Sequence, residues 1–178
     1  MKNEILSLIA SFIAMAFVIC SYFAKKKNFL LFQALCITFL IISYFFDLKL
    51  FAMVGLIIGL ARSLTFYYYE KKDKEAPIIL AVIFSILTLA AYFIVNIWIQ
   101  KNAKPVDVIY LIGLLCYIFI FRVRDVKKVR FLMLVPTVLS VLYNVLSTAP
   151  IFATLCYTFE LSANVVSIIK YHVIKVKQ

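Results

Sequence analysis

The sequence has little charge, little glycine or proline, and almost no histidine. Charged residues make up 15% of the 178 residues, against roughly 25% in ordinary soluble domains. With three glycines and four prolines, there is no glycine-rich phosphate loop and no flexible linker. The single histidine, His172, has no ligand partner in the sequence, so we expect no metal and no cofactor. A Ser/His/Asp set, an HExxH motif and a carboxylate pair are also missing, so we expect no enzyme.

What fills the chain is apolar: 66% of the residues are hydrophobic. A soluble domain of this size cannot bury so much apolar surface, so the solvent is a lipid bilayer. A membrane-spanning helix needs about 20 apolar residues, and we predict an all-α protein with seven transmembrane helices. The predicted spans are residues 5–24, 29–46, 50–69, 77–99, 105–121, 131–147 and 151–169.

Lysine and arginine are distributed unevenly between the two ends of these helices. The connections after helices 1, 3 and 5, together with the C-terminal tail, carry fourteen of them, and the opposite side carries four. Basic residues stay on the cytoplasmic side, which predicts an N-terminus outside and a C-terminus in the cytoplasm. The net charge of +11 then reflects this orientation and contact with anionic lipid headgroups. We expect no nucleic-acid partner, because no soluble domain is left to carry a basic face.

A weak internal repeat relates the beginning of the chain to its end. A shift of 99 residues places Asn28–Phe46 on Lys127–Val145 and makes Tyr44 the counterpart of Tyr143. A shift of 101 then places Arg62 on Ala163. The match lies in the order of helices, basic loops and tight turns rather than in identity.

The repeat predicts three parts. Residues 1–75 form a first three-helix repeat, residues 76–104 contain linker helix 4, and residues 105–178 form a second three-helix repeat with a basic tail. Because the linker helix restores the chain direction, the two repeats are parallel, in a 3+1+3 order. Parallel repeats are one architecture of transporters, with a binding site at the repeat interface near the midplane.

Two ionisable residues lie inside predicted spans, where a charge costs several kcal/mol. Arg62 is in helix 3 and Glu160 is in helix 7, at similar depths in corresponding helices. The first hypothesis is an Arg62–Glu160 pair across the repeat axis at a substrate site. The second is an ion pair that only holds the halves together. The third is an Arg62 side chain that extends to the cytoplasmic headgroups.

Polar residues also form a stripe on each of helices 6 and 7. Tyr157, Glu160 and Asn164 recur at helical spacing in helix 7, with Ser167 after them, and Asn144 belongs to a matching stripe in helix 6 formed with Thr137, Ser140 and Ser147. The stripes predict either a lined cavity or hydrogen bonds between helices without a cavity.

Other residues carry weaker predictions. Gly55, Gly59 and Ser63 recur every four residues in helix 3 and favour close helix packing. Pro136 frees a carbonyl in helix 6 and predicts a kink that could serve gating. Tyr44 and Tyr143 are candidate gates at the outer ends of helices 2 and 6. We interpret the four cysteines as small buried hydrophobic residues.

The arrangement resembles the SWEET/PQ-loop (MtN3-like) superfamily, and most closely its YgjV-type bacterial inner-membrane proteins. The residues that carry the resemblance are Leu60–Leu64, Tyr143–Asn144 and Ser162–Val166. The resemblance implies a SWEET-like fold, in which asparagines in helices 3 and 7 bind substrate. Asn164 matches the second asparagine, and Ser63 stands at the position of the first. SWEETs have hinge prolines in four helices, and in this chain only Pro136 lies in one of the corresponding helices. This weakens the case for a sugar as the substrate.

We therefore predict a multi-pass protein of the bacterial cytoplasmic membrane that moves a small polar metabolite by alternating access. The residues predicted to line the path are Arg62, Ser63, Asn144, Tyr157, Glu160 and Asn164. The alternative function is a non-transporting membrane receptor or interaction protein, a role that KDEL receptors play in this superfamily. Assembly with further copies of the chain is left open.

Overall fold

The computed structural model describes residues 2–22, 26–101, 104–123, 125–149 and 151–169, and its secondary structure is helical. The predicted basic tail with His172 lies outside these residues. The helices are α1 (Lys2–Tyr22), α2 (Lys26–Phe46), α3 (Leu50–Lys71), α4 (Ile78–Tyr92, continued as a π-helix over Phe93–Ile99), α5 (Pro105–Ile120), α6 (Val126–Leu132), α7 (Leu134–Leu146) and α8 (Ile151–Ile168).

Five of the helical segments in the described part of the chain are long and apolar enough to cross a membrane. They are Asn3–Ser21, Asn28–Phe46, Leu50–Lys71, Ile78–Ile99 and Lys127–Leu146. Pro105–Ile120 and Ile151–Val166 are apolar but shorter. All seven coincide with predicted spans. The largest difference is at helix 6, which begins at Val126 instead of Phe131, because Lys127, Lys128 and Arg130 lie within its first turns and not in the preceding loop.

Pro136 interrupts the sixth span, as its sequence context predicts. The α-helical pattern is broken at Met133, between α6 and α7. Proline has no N–H, and its ring clashes with the carbonyl four residues earlier, here that of Leu132. The chain continues in nearly the same direction, since Met133 N still donates to Val129 O and Thr137 N to Met133 O. A local break in the helix is therefore present, while a kink and its part in gating stay predictions.

The helices form a bundle in which contacts join neighbours along the chain and also helices of the first and second halves. In the first half α1 packs on α2 and α2 on α3; in the second half α5 packs on α7 and α7 on α8. The halves meet where α1 packs on α8 and where α3 packs on α5. Helix α4 lies against α3 and α5. Thus the first helix of each half contacts the last helix of the other.

The buried face of each helix in the first half recurs in the second half. The shift is 100 residues for α1 and α2 and 101 residues for α3. The buried residues Ser7, Ala10, Ser11, Ala14, Val18 and Ser21 correspond to Asp107, Tyr110, Leu111, Leu114, Ile118 and Phe121. In α2, Phe29, Leu30, Gln33, Cys36, Ile37, Leu40, Ser43 and Tyr44 correspond to Val129, Arg130, Met133, Pro136, Thr137, Ser140, Tyr143 and Asn144. In α3, Ala52, Gly55, Leu56, Gly59, Arg62 and Ser63 correspond to Ala153, Cys156, Tyr157, Glu160, Ala163 and Asn164.

Two tight turns fix this register. Leu48 and Thr148 both have a positive φ, 57° and 52°. In the first turn Lys49 N donates to Tyr44 O, and in the second Ala149 N donates to Asn144 O. The shift of 99 for helix 2 is therefore wrong by one residue, and Tyr44 corresponds to Asn144 instead of Tyr143. The shift of 99 matched two buried tyrosines, Tyr44 and Tyr143, by residue type, whereas the turns place Asn144 at the position of Tyr44.

Gly55 marks the closest approach of α3 to α5. A Cβ there would lie 2.6 Å from Leu114 Cδ1, so Gly55→Ala must displace a buried side chain. We expect this variant to lower the free energy of unfolding by about 1 kcal/mol, measured by SDS titration with circular dichroism. Gly59→Ala is the matched control, because its nearest atom, Arg62 Nη2, lies at an ordinary 3.7 Å. An equal cost in a Leu114→Ala background, where the clash is gone, would contradict the explanation.

Candidate functional site

A small cavity with a largely apolar wall and several polar side chains lies inside the bundle, between helices of both halves. Its free volume is about 30 Å³, enough for one or two water molecules. The polar side chains in its wall come from α2, α3, α5, α7 and α8: Gln33, Arg62, Tyr110, Tyr117, Ser140, Tyr157 and Glu160. Leucine, isoleucine, cysteine and phenylalanine side chains complete the wall. Polar groups at this depth need a partner or a function, because lipid supplies no hydrogen bonds.

Arg62 reaches this cavity from α3 and is only 3% exposed. Its guanidinium carbon lies 4.8 Å from the centre of the Phe121 ring and 5.9 Å from that of Tyr117. Its Nε has no hydrogen-bond partner among the described residues. Gly59, one turn earlier, leaves the space beside the guanidinium free. Within the described part of the chain, Arg62 is thus held by aromatic faces and has no carboxylate as an ion-pair partner.

Glu160 enters the same cavity from α8 and is 4% exposed. Gln33 Nε2 donates to its Oε1 at 2.8 Å, and the Tyr117 hydroxyl lies 3.4 Å from its Oε2. The basic side chain that acts on the carboxylate electrostatically is Arg130. Both carboxylate oxygens therefore already have donors from other helices.

The structure brings Arg62 and Glu160 to one cavity without joining them. Within the described residues, Arg62 makes only its two aromatic contacts, so the direct ion pair of the first two hypotheses is not formed. The third hypothesis is wrong too, because a guanidinium buried to this extent in the bundle does not reach the headgroups. A cation and a carboxylate facing one small space, each held separately, can bind a polar ligand between them.

Arg130 is a buried residue that the sequence had assigned to a loop. It is 3% exposed, and its Nη2 donates to Ser21 O at 3.0 Å while Nη1 lies 3.4 Å from Asn164 Oδ1. The guanidinium also lies over the ring of Phe29. Because the carbonyls of a helix C-terminus lack partners within the helix, Arg130 stabilises the end of α1 and ties it to α8. Asn164 is thus engaged by an arginine, beside the cavity and not in its wall.

A layer of tyrosines closes the cavity toward the end of the bundle where the two tight turns lie. The Tyr110 and Tyr143 rings are stacked with centroids 4.4 Å apart. The Tyr44 hydroxyl donates to Asn144 Oδ1 at 2.5 Å. Tyr110 also belongs to the cavity wall, while Tyr143 faces the space beyond the layer. The two candidate gates therefore do lie in one layer, together with Tyr110, which the sequence did not single out.

Beyond that layer a wider polar vestibule opens at the turns. Its volume is about 340 Å³. Its charged and amide side chains are Asp47, Lys49, Gln100, Lys104 and Asp107. The ammonium group of Lys49 donates to Ser147 O, across the two halves. Partial burial raises the pKa of Asp47 above its ordinary value, partly offset by the charge of Lys49. The vestibule, the tyrosine layer and the cavity follow one another along the bundle.

Two of the four cysteines face each other in the cavity wall. Cys36 Sγ on α2 and Cys156 Sγ on α8 are 3.7 Å apart, and both are buried. Nowhere in the described ranges do three or more His, Cys, Asp or Glu side chains gather as a metal site requires. The pair is a contact between the two halves of the chain.

The structure brings together part of the predicted set. Arg62, Tyr157 and Glu160 line the cavity. Ser63, Asn144 and Asn164 are buried next to it, and the side chain of Ser167 lies outside the described residues. Sequence reasoning missed Gln33, Tyr110, Tyr117 and Arg130. A lone amide within an apolar run was a usable signal for Gln33.

The fold and the site define a multi-pass, all-helical membrane protein with a charged cavity in its interior. A family model described as Imp-YgjV, bacterial inner membrane protein, matches residues 5–175. The chain therefore belongs to this family of bacterial inner membrane proteins. No curated protein and no solved structure matches it.

Proposed function

We propose that this protein is a facilitator that moves a small polar metabolite across the bacterial inner membrane by alternating access. The observation that carries the proposal is a small cavity between the two halves, with Arg62 and Glu160 in its wall and stacked tyrosines between it and a wider polar vestibule. At about 30 Å³ the cavity has room for one or two groups the size of a water molecule. A metabolite therefore enters when the helices around it separate.

The two halves would move as parallel three-helix repeats in a SWEET-like 3+1+3 arrangement, with α4 as the linker. The recurrence of the buried faces after 100 or 101 residues supports this arrangement. So does the reciprocal packing of α1 on α8 and of α5 on α3. A binding site at the interface of such repeats is the usual position in transporters of this design.

The vestibule would face the outside of the cell. The distribution of lysine and arginine favours this orientation, with the N-terminus outside and the C-terminus in the cytoplasm. Tyr44 and Tyr143 then serve as the outer gate, and the break before Pro136 lets α7 bend as the gate opens. Basic residues at the other end of the bundle contact anionic headgroups.

The decisive experiment is counterflow in proteoliposomes that contain the full chain. Vesicles are preloaded with one unlabelled metabolite from a panel of acids, amines and neutral solutes, and uptake of the labelled compound is followed. We expect at least one compound to exchange faster than in empty vesicles. If no compound exchanges while the protein remains folded, the transport proposal fails.

Cys36 and Cys156 allow the movement itself to be tested. A disulfide needs a sulfur–sulfur distance of about 2.05 Å, and the present 3.7 Å separation requires only a small shift. Copper phenanthroline would take two electrons, and two protons would leave, to join α2 to α8. We expect this bond to stop counterflow and dithiothreitol to restore it. Cys36→Ser, which keeps Cys20 and Cys116, is the control and should stay active under oxidant. An oxidised, cross-linked protein that transports at the normal rate would contradict a separation of the halves here.

A non-transporting receptor is the second candidate, and the vestibule favours it. Its volume is about 340 Å³, against about 30 Å³ for the enclosed cavity, so a ligand fits there without crossing the tyrosine layer. A receptor would bind a compound from the panel and show no counterflow of it.

A further inference from the structure

The charges around the cavity do not balance locally. The Glu160 carboxylate already accepts a hydrogen bond from Gln33 and lies near the Tyr117 hydroxyl. The positive charge of Arg130 also acts on it electrostatically. Arg62 has no such counterpart, since its contacts among the described residues are aromatic rings. The cavity therefore contains one carboxylate that is satisfied and one cation that is not.

Some buried polar atoms of the described residues have no hydrogen-bond partner, and they also indicate a missing negative group. Among the described residues they include Arg62 Nε in the cavity wall, and Asn144 Nδ2 and Asn164 Nδ2 on the neighbouring helices α7 and α8. These three nitrogens can only donate hydrogen bonds. The Ser63 hydroxyl also lacks a partner among the described residues, and the Tyr110 hydroxyl has the Tyr157 hydroxyl as its neighbour; both can donate as well as accept. In this part of the bundle the missing partners are acceptors.

We infer that the cavity binds a compact monoanion, with the Arg62 guanidinium as its principal ligand and the Tyr110 hydroxyl as a second donor. This inference rests on the proposed function for the place of the site, and it adds the chemical class of the ligand. The space admits an ion about the size of a water molecule or two, so a halide, nitrate or a small carboxylate head is the expected group. A larger organic acid would place its carboxylate there and its remainder toward the tyrosine layer.

The opposite charge of Glu160 does not argue against an anion. The carboxylate is held by donors on its own side, and its negative charge limits how tightly an anion binds. A weakly held ion can leave again, which a transport site requires. The same carboxylate would make the site reject divalent anions.

The test uses the full chain in nanodiscs of neutral lipid. Sodium chloride, nitrate, formate or acetate is titrated against sodium gluconate at constant ionic strength, and the melting temperature is followed by circular dichroism. A ligand that binds only the folded protein raises the melting temperature with its concentration. We expect a saturable rise with the compact anions, and Arg62→Gln should weaken the apparent affinity at least about tenfold. Arg62→Lys, which keeps the charge, should retain part of it.

Arg122→Gln is the matched control, because Arg122 donates to the Ala76 carbonyl away from the cavity. It should respond to anions like the unaltered protein. Equal responses of the unaltered protein and Arg62→Gln would overturn the inference, and so would stabilisation by methylammonium gluconate that disappears in Glu160→Gln. A response to chloride and nitrate alone would identify an inorganic ligand, and one that extends to acetate a carboxylate; both support the site.

Failure of this inference and failure of the transport proposal are distinguishable. Saturable anion binding without counterflow of any anion would leave the site intact and remove transport. Counterflow of a neutral or cationic compound, without an anion response that depends on Arg62, would support transport and remove the anion site.

Discussion

Arg62→Ala and Glu160→Gln should each abolish counterflow while leaving a folded protein. Arg62 has no ion-pair partner to lose within the described part of the chain, and glutamine retains the size of Glu160 and its hydrogen bond with Gln33. A charge-assisted hydrogen bond contributes about 1.5–3 kcal/mol, so losing that of Arg62 should reduce ligand affinity by about 10–100-fold. Glu160→Gln removes the negative charge that lets a bound anion leave. Initial counterflow rates over a range of substrate concentrations, with circular dichroism on the same samples, measure both effects.

Arg122→Ala and Glu75→Gln are the controls for these two variants. Both change the same type of charge outside the cavity: Arg122 is bonded to the Ala76 carbonyl, and Glu75 is exposed in the connection before α4. They should transport at close to the normal rate. If Arg62→Ala and Glu160→Gln transport as well as these controls, the cavity is not the path.

Arg130→Ala should be the most destabilising of the arginine substitutions. It removes a buried cation that bonds to the end of α1 and to Asn164 on α8, and it leaves the Ser21 carbonyl without that donor. We expect the free energy of unfolding to fall by about 2–3 kcal/mol, since hydrogen bonds within membranes contribute on average less than 1 kcal/mol each and an unpaired polar group adds its own cost. SDS titration measures it.

The control for this effect is Arg122→Ala, whose guanidinium also bonds a backbone carbonyl but is only half-buried. Its loss should cost about 1 kcal/mol or less. Arg130→Lys should fall between the two, because one ammonium group replaces a planar fork that serves two helices. An Arg130→Ala protein as stable as the unaltered one would show that α1 and α8 are held together by apolar packing alone.

The positions of the helices followed from the sequence because length and hydrophobicity decide what spans a bilayer. The start of the sixth span did not follow. Its first turns contain Lys127, Lys128 and Arg130, so a prediction based on the number of apolar residues assigns this segment to a loop. Only the three-dimensional packing shows that Arg130 points into the bundle while Lys128 is exposed.

The site was predicted in part for a similar reason. Arg62 and Glu160 stood out because a charge within an apolar run is costly. Tyr110 and Tyr117 did not, because tyrosine is also the usual anchor at a membrane interface. Whether two charged side chains meet depends on rotamers and on competing donors. Gln33 is 127 positions away from Glu160 in the chain, and no pattern along the sequence connects them.

The repeated burial pattern has a consequence for how charge is arranged around the cavity. The counterpart of Arg62 is Ala163, and that of Glu160 is Gly59; Arg130 corresponds to Leu30. Two identical halves would have faced each other with like charges, two arginines or two glutamates. The recurring buried positions therefore share their packing, while the polarity of the residues that fill them differs. The cavity consequently has a built-in dipole, and an asymmetric ligand would enter it in one orientation only.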